Sequence, residues 1–156
     1  MKSIVLLGID WNFNDELAQR VAKIKNRMFL SIHELVIYEM QGMIGEIDNI
    51  DNEYVESKVG EAVKNSLEYE DSIISIDITA LNNYGAKESA KTLSKIYVQH
   101  SHNDGIFEVV RKDRDEYLKE FADFVVEDKD IELQVDDVVK IINKIESEGN
   151  TNEGSN

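Results

Sequence analysis

The residues best suited to chemistry in this sequence are two histidines and an aspartate in one short stretch. His100, His102 and Asp104 follow an apolar run at residues 96–98. If that run is a β-strand, side chains two residues apart share a face, so both imidazoles lie on one side. Imidazole and carboxylate groups are common ligands of zinc and related metals. One hypothesis is therefore a divalent-metal site at these three residues.

The same stretch locally resembles the His-x-His-x-Asp-His signature of the metallo-β-lactamases. The match consists of His100, His102 and Asp104, and Gly105 stands where that family has its next histidine. The family also takes ligands from distant histidines, and the one other histidine here is His33. Because the resemblance covers only about ten residues, we assign the chain to no family on its basis.

A β-hairpin is the simpler interpretation of this stretch, and it is the one we favour. Residues 96–98 and 106–110 are rich in branched and aromatic side chains, which suit a half-buried pleated surface. Between them, Asn103-Asp104-Gly105 is a strong turn signal, since glycine adopts positive φ without a steric penalty. His100 and His102 are then ordinary polar residues near a strand end, and we predict no cofactor.

The net charge is strongly negative and unevenly distributed. Seventeen basic and 32 acidic residues leave a formal charge of −15. Residues 45–77 carry ten acids and two bases, and residues 113–137 carry eleven acids and three bases, so each segment has a net charge of −8. Direct nucleic-acid binding is disfavoured because it requires clustered lysine and arginine. A basic protein surface is the partner that this charge suits.

The first functional hypothesis is a non-enzymatic acidic binding module. Inhibitors, immunity proteins and phage counter-defence proteins engage basic surfaces of partners such as nucleic-acid-processing enzymes, with carboxylates in the place of phosphates. The candidate contacts are exposed acids on two predicted helices: Glu53, Glu56 and Glu61 on one, and Asp115, Glu116, Glu120 and Asp123 on the other.

The order of predicted elements indicates an α/β fold, with a mixed α+β arrangement as the alternative. Residues 3–9 form an apolar run typical of a strand buried on both faces, and residues 72–79 alternate as a strand does. We expect a single mixed sheet of about four strands, covered by five to six helices, with helix predominating. The expected domain spans residues 1–148, and residues 149–156 are expected to be a disordered tail.

The second functional hypothesis is a small metal-dependent hydrolase or a nucleotide or small-molecule binder. Ligands of open α/β sheets collect at the carboxyl ends of parallel strands. Asp10, Asp77 and Asn82 follow predicted strands and would join His100, His102 and Asp104 there. Neither GxGxxG nor GxxxxGK[ST] occurs in the chain, and this argues against a conventional nucleotide-binding fold.

A third hypothesis is a self-associating structural subunit. Residues 32–47 carry a broad apolar stripe at helical spacing, which would dimerise if the core did not cover it. The chain has no cysteine and no apolar run near the length of a membrane span. We therefore expect a cytoplasmic protein with no membrane association.

Overall fold

The structure is a computed structural model that describes residues 1–43, 52–100 and 108–154. The strands are β1 (Ile4–Gly8), β2 (Met28–Ser31), β3 (Ser72–Asp77), β4 (Ser94–Val98) and β5 (Phe124–Val126). The helices are α1 (Trp11–Lys25), α2 (Ile32–Gly42), α3 (Asn52–Leu67), α4 (Ile78–Leu81), α5 (Ala86–Ala90), α6 (Glu108–Phe121) and α7 (Ile131–Gly154).

The five strands form one parallel sheet in the order β2-β3-β1-β4-β5. Strand β1 lies at the centre, with Val5 beside Ile74 of β3 and Leu6 beside Ile96 of β4. Every residue of β1 from Ile4 to Leu7 is buried, as its continuous apolar sequence predicts for a strand covered on both faces. The predicted α/β class and the predominance of helix are confirmed. The described residues form five strands where about four were expected, all parallel where a mixed sheet was expected, and seven helices where five to six were expected.

Helices cover both faces of the sheet and divide the core in two. Alternate side chains of β1 face opposite sides, so Ile4 and Leu6 pack with α1 and α7, while Val5 and Leu7 pack with the other layer. That second layer contains apolar residues of α2, α3, α4, α5 and α6. It also takes up part of the apolar stripe of residues 32–47, because Ile32 and Met43 are buried there.

The predicted β-hairpin is wrong. Strand β4 pairs in parallel with β1 and β5, and residues 108–110, predicted as part of the returning strand, lie in helix α6. The branched side chains of Val109 and Val110 favour a half-buried strand, but both residues are exposed on that helix. The predicted turn at residues 103–105 lies outside the described residues.

Two strand assignments also change. The sequence does not predict strand β2, because Met28 continues the apolar spacing of the preceding helix. Helix α1 ends instead at Lys25, and its C-cap residue Asn26 adopts a left-handed φ of 53°. Residues 131–135 alternate between apolar and polar side chains, which predicts a short edge strand, but they form the first part of α7, and β5 lies at Phe124–Val126. Helix α7 continues past Gly149, where the sequence predicts the tail to begin, and ends at Gly154.

In the three described ranges, no helix combines the length and the apolar character needed to cross a bilayer.

Candidate functional site

The carboxyl end of β1 is the point at which the sheet offers a ligand crevice. Helix α1, which follows β1, packs on one face of the sheet. Helices α4 and α6, which come after the neighbouring strands β3 and β4, contribute Ile78 and Leu118 to the core on the other face. Chain segments thus leave adjacent strands in opposite directions, and such a switch point is where open α/β sheets bind ligands.

In the first turn of α1, a side chain of the protein accepts a hydrogen bond from a backbone N–H group. Asp10 is the N-cap residue, and its Oδ1 accepts a hydrogen bond of 3.0 Å from the backbone N–H of Asn12. Carboxylates are favoured at helix N-termini because the free N–H groups carry partial positive charge. One of the N–H groups that an external anion would contact at this helix end is therefore already paired with Asp10.

The next residues of α1 point into the core and are held by a buried polar network. Asn14 Nδ2 donates to the Leu6 carbonyl and to Ser75 Oγ, both at 2.8 Å. Ser75 Oγ in turn donates to Asp15 Oδ1 at 2.6 Å, and Ser31 Oγ donates to Asp15 Oδ2 at 2.7 Å. Asn14 and Asp15 join α1 to β1, β2 and β3, and are consequently structural.

An open pocket of about 360 Å³ lies beside this turn, between the carboxyl ends of β1 and β4 and helix α6. Its volume is within the range of small-molecule sites. The pocket is lined by Ile9, Tyr97, Gln99, His100, Glu108, Arg111, Lys112, Asp115 and Asp128.

A hydrogen-bonded cluster forms one wall of the pocket. Asp115 Oδ1 accepts from the Tyr97 hydroxyl at 2.7 Å and from Gln99 Nε2 at 3.0 Å, while Lys119 Nζ lies 3.1 Å from Oδ2. Burial and, after it, the hydrogen bond to Asp115 raise the pKa of Tyr97 far above its usual value, so the hydroxyl stays a donor. Although burial opposes it, hydrogen bonds from Tyr97, Lys119 and Gln99 lower the pKa of Asp115.

Gln134 of α7 holds two edges of this pocket together. Its fully buried side chain donates from Nε2 to the carbonyls of Gln99, at 2.6 Å, and Glu127, at 3.0 Å. The backbone N–H of Gln99 also donates to the Val126 carbonyl at 2.9 Å. The ends of β4 and β5 are thereby fixed relative to each other, and with them Gln99 and the segment that carries Asp128.

The pocket also has a flat aromatic wall. The imidazole of His100 stacks on the ring of Phe13, with ring centroids 3.7 Å apart and ring planes 8° from parallel. His102 and Asp104 lie outside the described residues, so the metal site proposed for this stretch stays a prediction. Within the described residues, no group of three or more histidine, aspartate and glutamate side chains could hold a metal ion.

Asp77 lies at the end of β3, on the other side of β1 from the pocket. It is only 5% exposed, and its Oδ1 has no hydrogen-bond partner in the described part of the chain. Burial raises the pKa of Asp77, against smaller opposing effects of the Ala80 backbone and His33. His33 in turn stacks on Trp11, with ring centroids 4.1 Å apart.

Apart from Asp115, the remaining predicted site residues do not join these groups. Asn82 accepts a hydrogen bond of 2.6 Å from the Tyr117 hydroxyl. Asp123 accepts from the Lys95 backbone N–H at 2.9 Å, and Asp115 faces Tyr97, so both have internal partners. The other acidic candidates are exposed on α3 and α6: Glu53, Glu56, Glu61, Glu116 and Glu120.

Comparison of the fold with solved structures gives a consistent result. Shikimate kinase from Bacteroides thetaiotaomicron superimposes with a TM-score of 0.66 and 13% identity, over 91% of this chain and 98% of that one. Dephospho-CoA kinase from Campylobacter jejuni gives 0.64 and 14%, over 96% and 100%. A de novo designed protein of P-loop NTPase fold gives 0.52 and 15%, over 96% of both chains. The chain has a P-loop NTPase-like fold. No protein-family model and no curated protein matches the sequence.

The P-loop motif that usually accompanies this fold is absent from the expected position. Counted from Gly8, GxxxxGK[ST] would place glycine, lysine and serine or threonine at residues 13, 14 and 15, where this chain has Phe13, Asn14 and Asp15. In the motif, backbone N–H groups cradle the phosphates, the lysine reaches them and the hydroxyl binds Mg²⁺. Asn14 and Asp15 instead bind the sheet.

Two sequence-based conclusions are overturned by this likeness. The missing motif argues against a nucleotide-binding fold, but the P-loop NTPase-like fold is present without it. The first functional hypothesis, a non-enzymatic acidic inhibitor, immunity or counter-defence protein, is contradicted because the structural neighbours are P-loop kinases. Net charge describes association and not fold, so it was a poor guide.

Several residues of the site were missed from the sequence. The sequence pattern marks Tyr97 only as a strand residue, and it assigns no role to Gln99, Arg111 and Gln134. The predicted hairpin pairs residues 96–98 with residues 106–110 as neighbouring strands, whereas residues 108–115 lie in helix α6, which lines the pocket beside the end of β4. A signal was available in Asn14 and Asp15, whose polar side chains stand where the motif has lysine and serine or threonine.

Proposed function

We propose that this chain binds a small planar ligand of the nucleoside class in the pocket between β1, β4 and α6, without a phosphate cradle at the β1–α1 turn. The observation that carries the proposal is the contrast between the two halves of the crevice. Asp10 and Asn14 fill the turn with the protein's own polar groups. The adjacent pocket of about 360 Å³ stays open.

Electrostatics argue against a polyphosphate ligand. The position of the P-loop lysine holds Asn14, so no cation extends from the first turn of α1 towards the crevice. The Asp10 carboxylate lies at the helix N-terminus and repels a second anion. A chain with a net charge of −15 also opposes the approach of a triphosphate.

The composition of the pocket suits a ligand with little net charge. Two basic residues, Arg111 and Lys112, line it together with three acidic ones, Glu108, Asp115 and Asp128. Its polar groups can meet both donors and acceptors on a ligand edge. The ring of His100, supported by Phe13, supplies a flat surface on which a heteroaromatic base can stack. A nucleoside or free base combines these properties.

The test is calorimetric titration of the full chain with adenosine, guanosine, cytidine and uridine, and with their triphosphates in the presence and absence of Mg²⁺. At least one nucleoside is expected to bind, with a triphosphate affinity that is no greater and does not depend on Mg²⁺. Gln99→Ala should weaken nucleoside binding about tenfold, since it removes the amide that orients Asp115. Gln19→Ala, an exposed change on α1, is the matched control.

Two results would overturn the proposal. One is the absence of heat with all four nucleosides at millimolar concentration. The other is Mg²⁺-dependent triphosphate binding at least ten times tighter than binding of the nucleoside, because that gain requires a phosphate site. The cytoplasmic location expected from the sequence fits this class of ligand and stays a prediction.

A further inference from the structure

A groove between α1 and α7, on the sheet face away from α6, separates charges of opposite sign. It encloses about 350 Å³ and is lined by Arg20, Lys23 and Ile24 from α1 and by Glu132, Val135 and Asp136 from α7. The α1 rim is therefore basic and the α7 rim acidic. In a chain whose acids outnumber its bases by 32 to 17, a basic rim is a local exception.

The two rims do not neutralise each other within one copy. Among the described residues, Lys23, Glu132 and Asp136 form no ion pair, and Arg20 pairs with Glu16 of its own helix at 2.8 Å. The charges that flank the groove thus remain available to a second molecule. An exposed ion pair within one helix, such as Arg20–Glu16, contributes little and competes weakly.

Apolar side chains lie beside the charged rims. Ile24 of α1 is 59% exposed and Leu133 of α7 is 52% exposed. Both are large aliphatic residues of the two helices that form the groove, and Ile24 lines it. Covering them would contribute apolar burial at the centre of a contact whose edges are charged, which is the usual anatomy of an interface.

We propose that this surface binds a second copy of the chain as a two-fold symmetric dimer. A symmetric contact must be self-complementary, and a two-fold axis along the groove sets each α1 rim over the partner's α7 rim. Arg20 and Lys23 of one copy then face Glu132 and Asp136 of the partner subunit, and the same pairing occurs twice. This local attraction offsets the repulsion expected between two chains of net charge −15.

Charge exchange tests the geometry directly. Variant one carries Arg20→Glu and Lys23→Glu, so both of its rims are acidic; variant two carries Glu132→Lys and Asp136→Lys, so both are basic. Sedimentation of the wild-type chain at about 100 μM and low salt should give a dimer that weakens as salt is raised. Each variant alone should be a monomer, and an equimolar mixture should form a one-to-one heterodimer.

The mixture distinguishes this dimer from a loss of folding. Variants that do not fold cannot restore association when mixed, and circular dichroism verifies the fold of each one beforehand. A wild-type chain that sediments as a monomer overturns the proposal, as does a mixture of folded variants that stays monomeric. The groove contains none of the residues that line the proposed nucleoside pocket, so either proposal can fail without the other.

Discussion

The carboxamide of Asn14 occupies the space that a side chain on residue 8 would need. A Cβ atom built on Gly8 would lie 2.7 Å from Asn14 Oδ1 and 3.0 Å from Asn14 Cβ, closer than real side chains approach. Gly8 ends β1 and Asn14 lies in the first turns of α1. The close contact of these two residues packs the turn between them against the sheet, and only glycine at position 8 permits it.

Gly8→Ala should destabilise the protein by about 1–3 kcal/mol, the range for overpacking in a close-packed core. Asn14→Ala removes the contact but also the bonds to Leu6 and Ser75, and should cost about 1–3 kcal/mol by itself. In the double variant the two costs should be less than additive, because the clash with the Asn14 carboxamide, whose Oδ1 lies 2.7 Å away, has gone. Urea unfolding of the four proteins measures this coupling, and strictly additive effects would contradict the contact.

Asp15 should be important for stability and unimportant for ligand binding. Its two carboxylate oxygens accept from Ser75 and Ser31, and the residue is 7% exposed. Asp15→Ala leaves both hydroxyls without their acceptor, so we expect a loss of about 2–4 kcal/mol. Glu16→Ala, one residue further along on the exposed face, should change stability by less than about 0.5 kcal/mol. Equal effects of the two changes in chemical unfolding would contradict this role.

Asp10→Asn should weaken the electrostatic repulsion of anions at the β1–α1 turn. Asparagine retains the capping bond to the Asn12 backbone but removes the negative charge from the helix N-terminus. A charge at this position contributes about 0.3–1 kcal/mol, so triphosphate affinity should rise about two- to fivefold. Titration of ATP against Asp10→Asn and against Glu16→Gln, as the charge-matched control, measures the effect. An equal gain in both variants would indicate a general effect of net charge.

Asp77 should make the protein less stable as the pH rises. Because burial raises its pKa in the folded state, the folded protein holds this proton more tightly than the unfolded chain, whose ordinary value is 3.8. Stability contributed by the protonated form is complete below that value and is lost as the pH rises through the folded-state pKa. Asp77→Asn, which stays neutral, should therefore gain stability relative to the wild type between pH 4 and pH 7. An equal change in the free energy of unfolding between pH 4 and pH 7 for the two proteins would contradict the prediction.

Sequence patterns were sufficient where a residue's environment is set by near neighbours. The apolar run of residues 3–9 predicted a buried strand, and β1 is buried on both faces. Ser31 and Glu34 have the spacing of a capping box, which indicates a helix start, and Ser31 Oγ accepts from the Glu34 backbone N–H at 3.1 Å. The sheet-and-helix class followed from the order of such elements.

Strand order and the composition of the site required the tertiary structure. Residues 96–98 suit a hairpin and a parallel strand equally well, and only the pairing of β4 with β1 and β5 decides between them.

What the sequence by itself determined was the identity of the strands and helices whose hydrophobic spacing is regular, and the absence of a phosphate-binding motif. Only the tertiary structure decided that the fold is P-loop NTPase-like, that Asn14 and Asp15 are structural, and that Tyr97, Gln99 and Asp115 form one wall of a pocket. The physical reason is that hydrophobic periodicity reports which face of an element is buried. It does not report which distant element covers that face, and the pocket arises from that pairing.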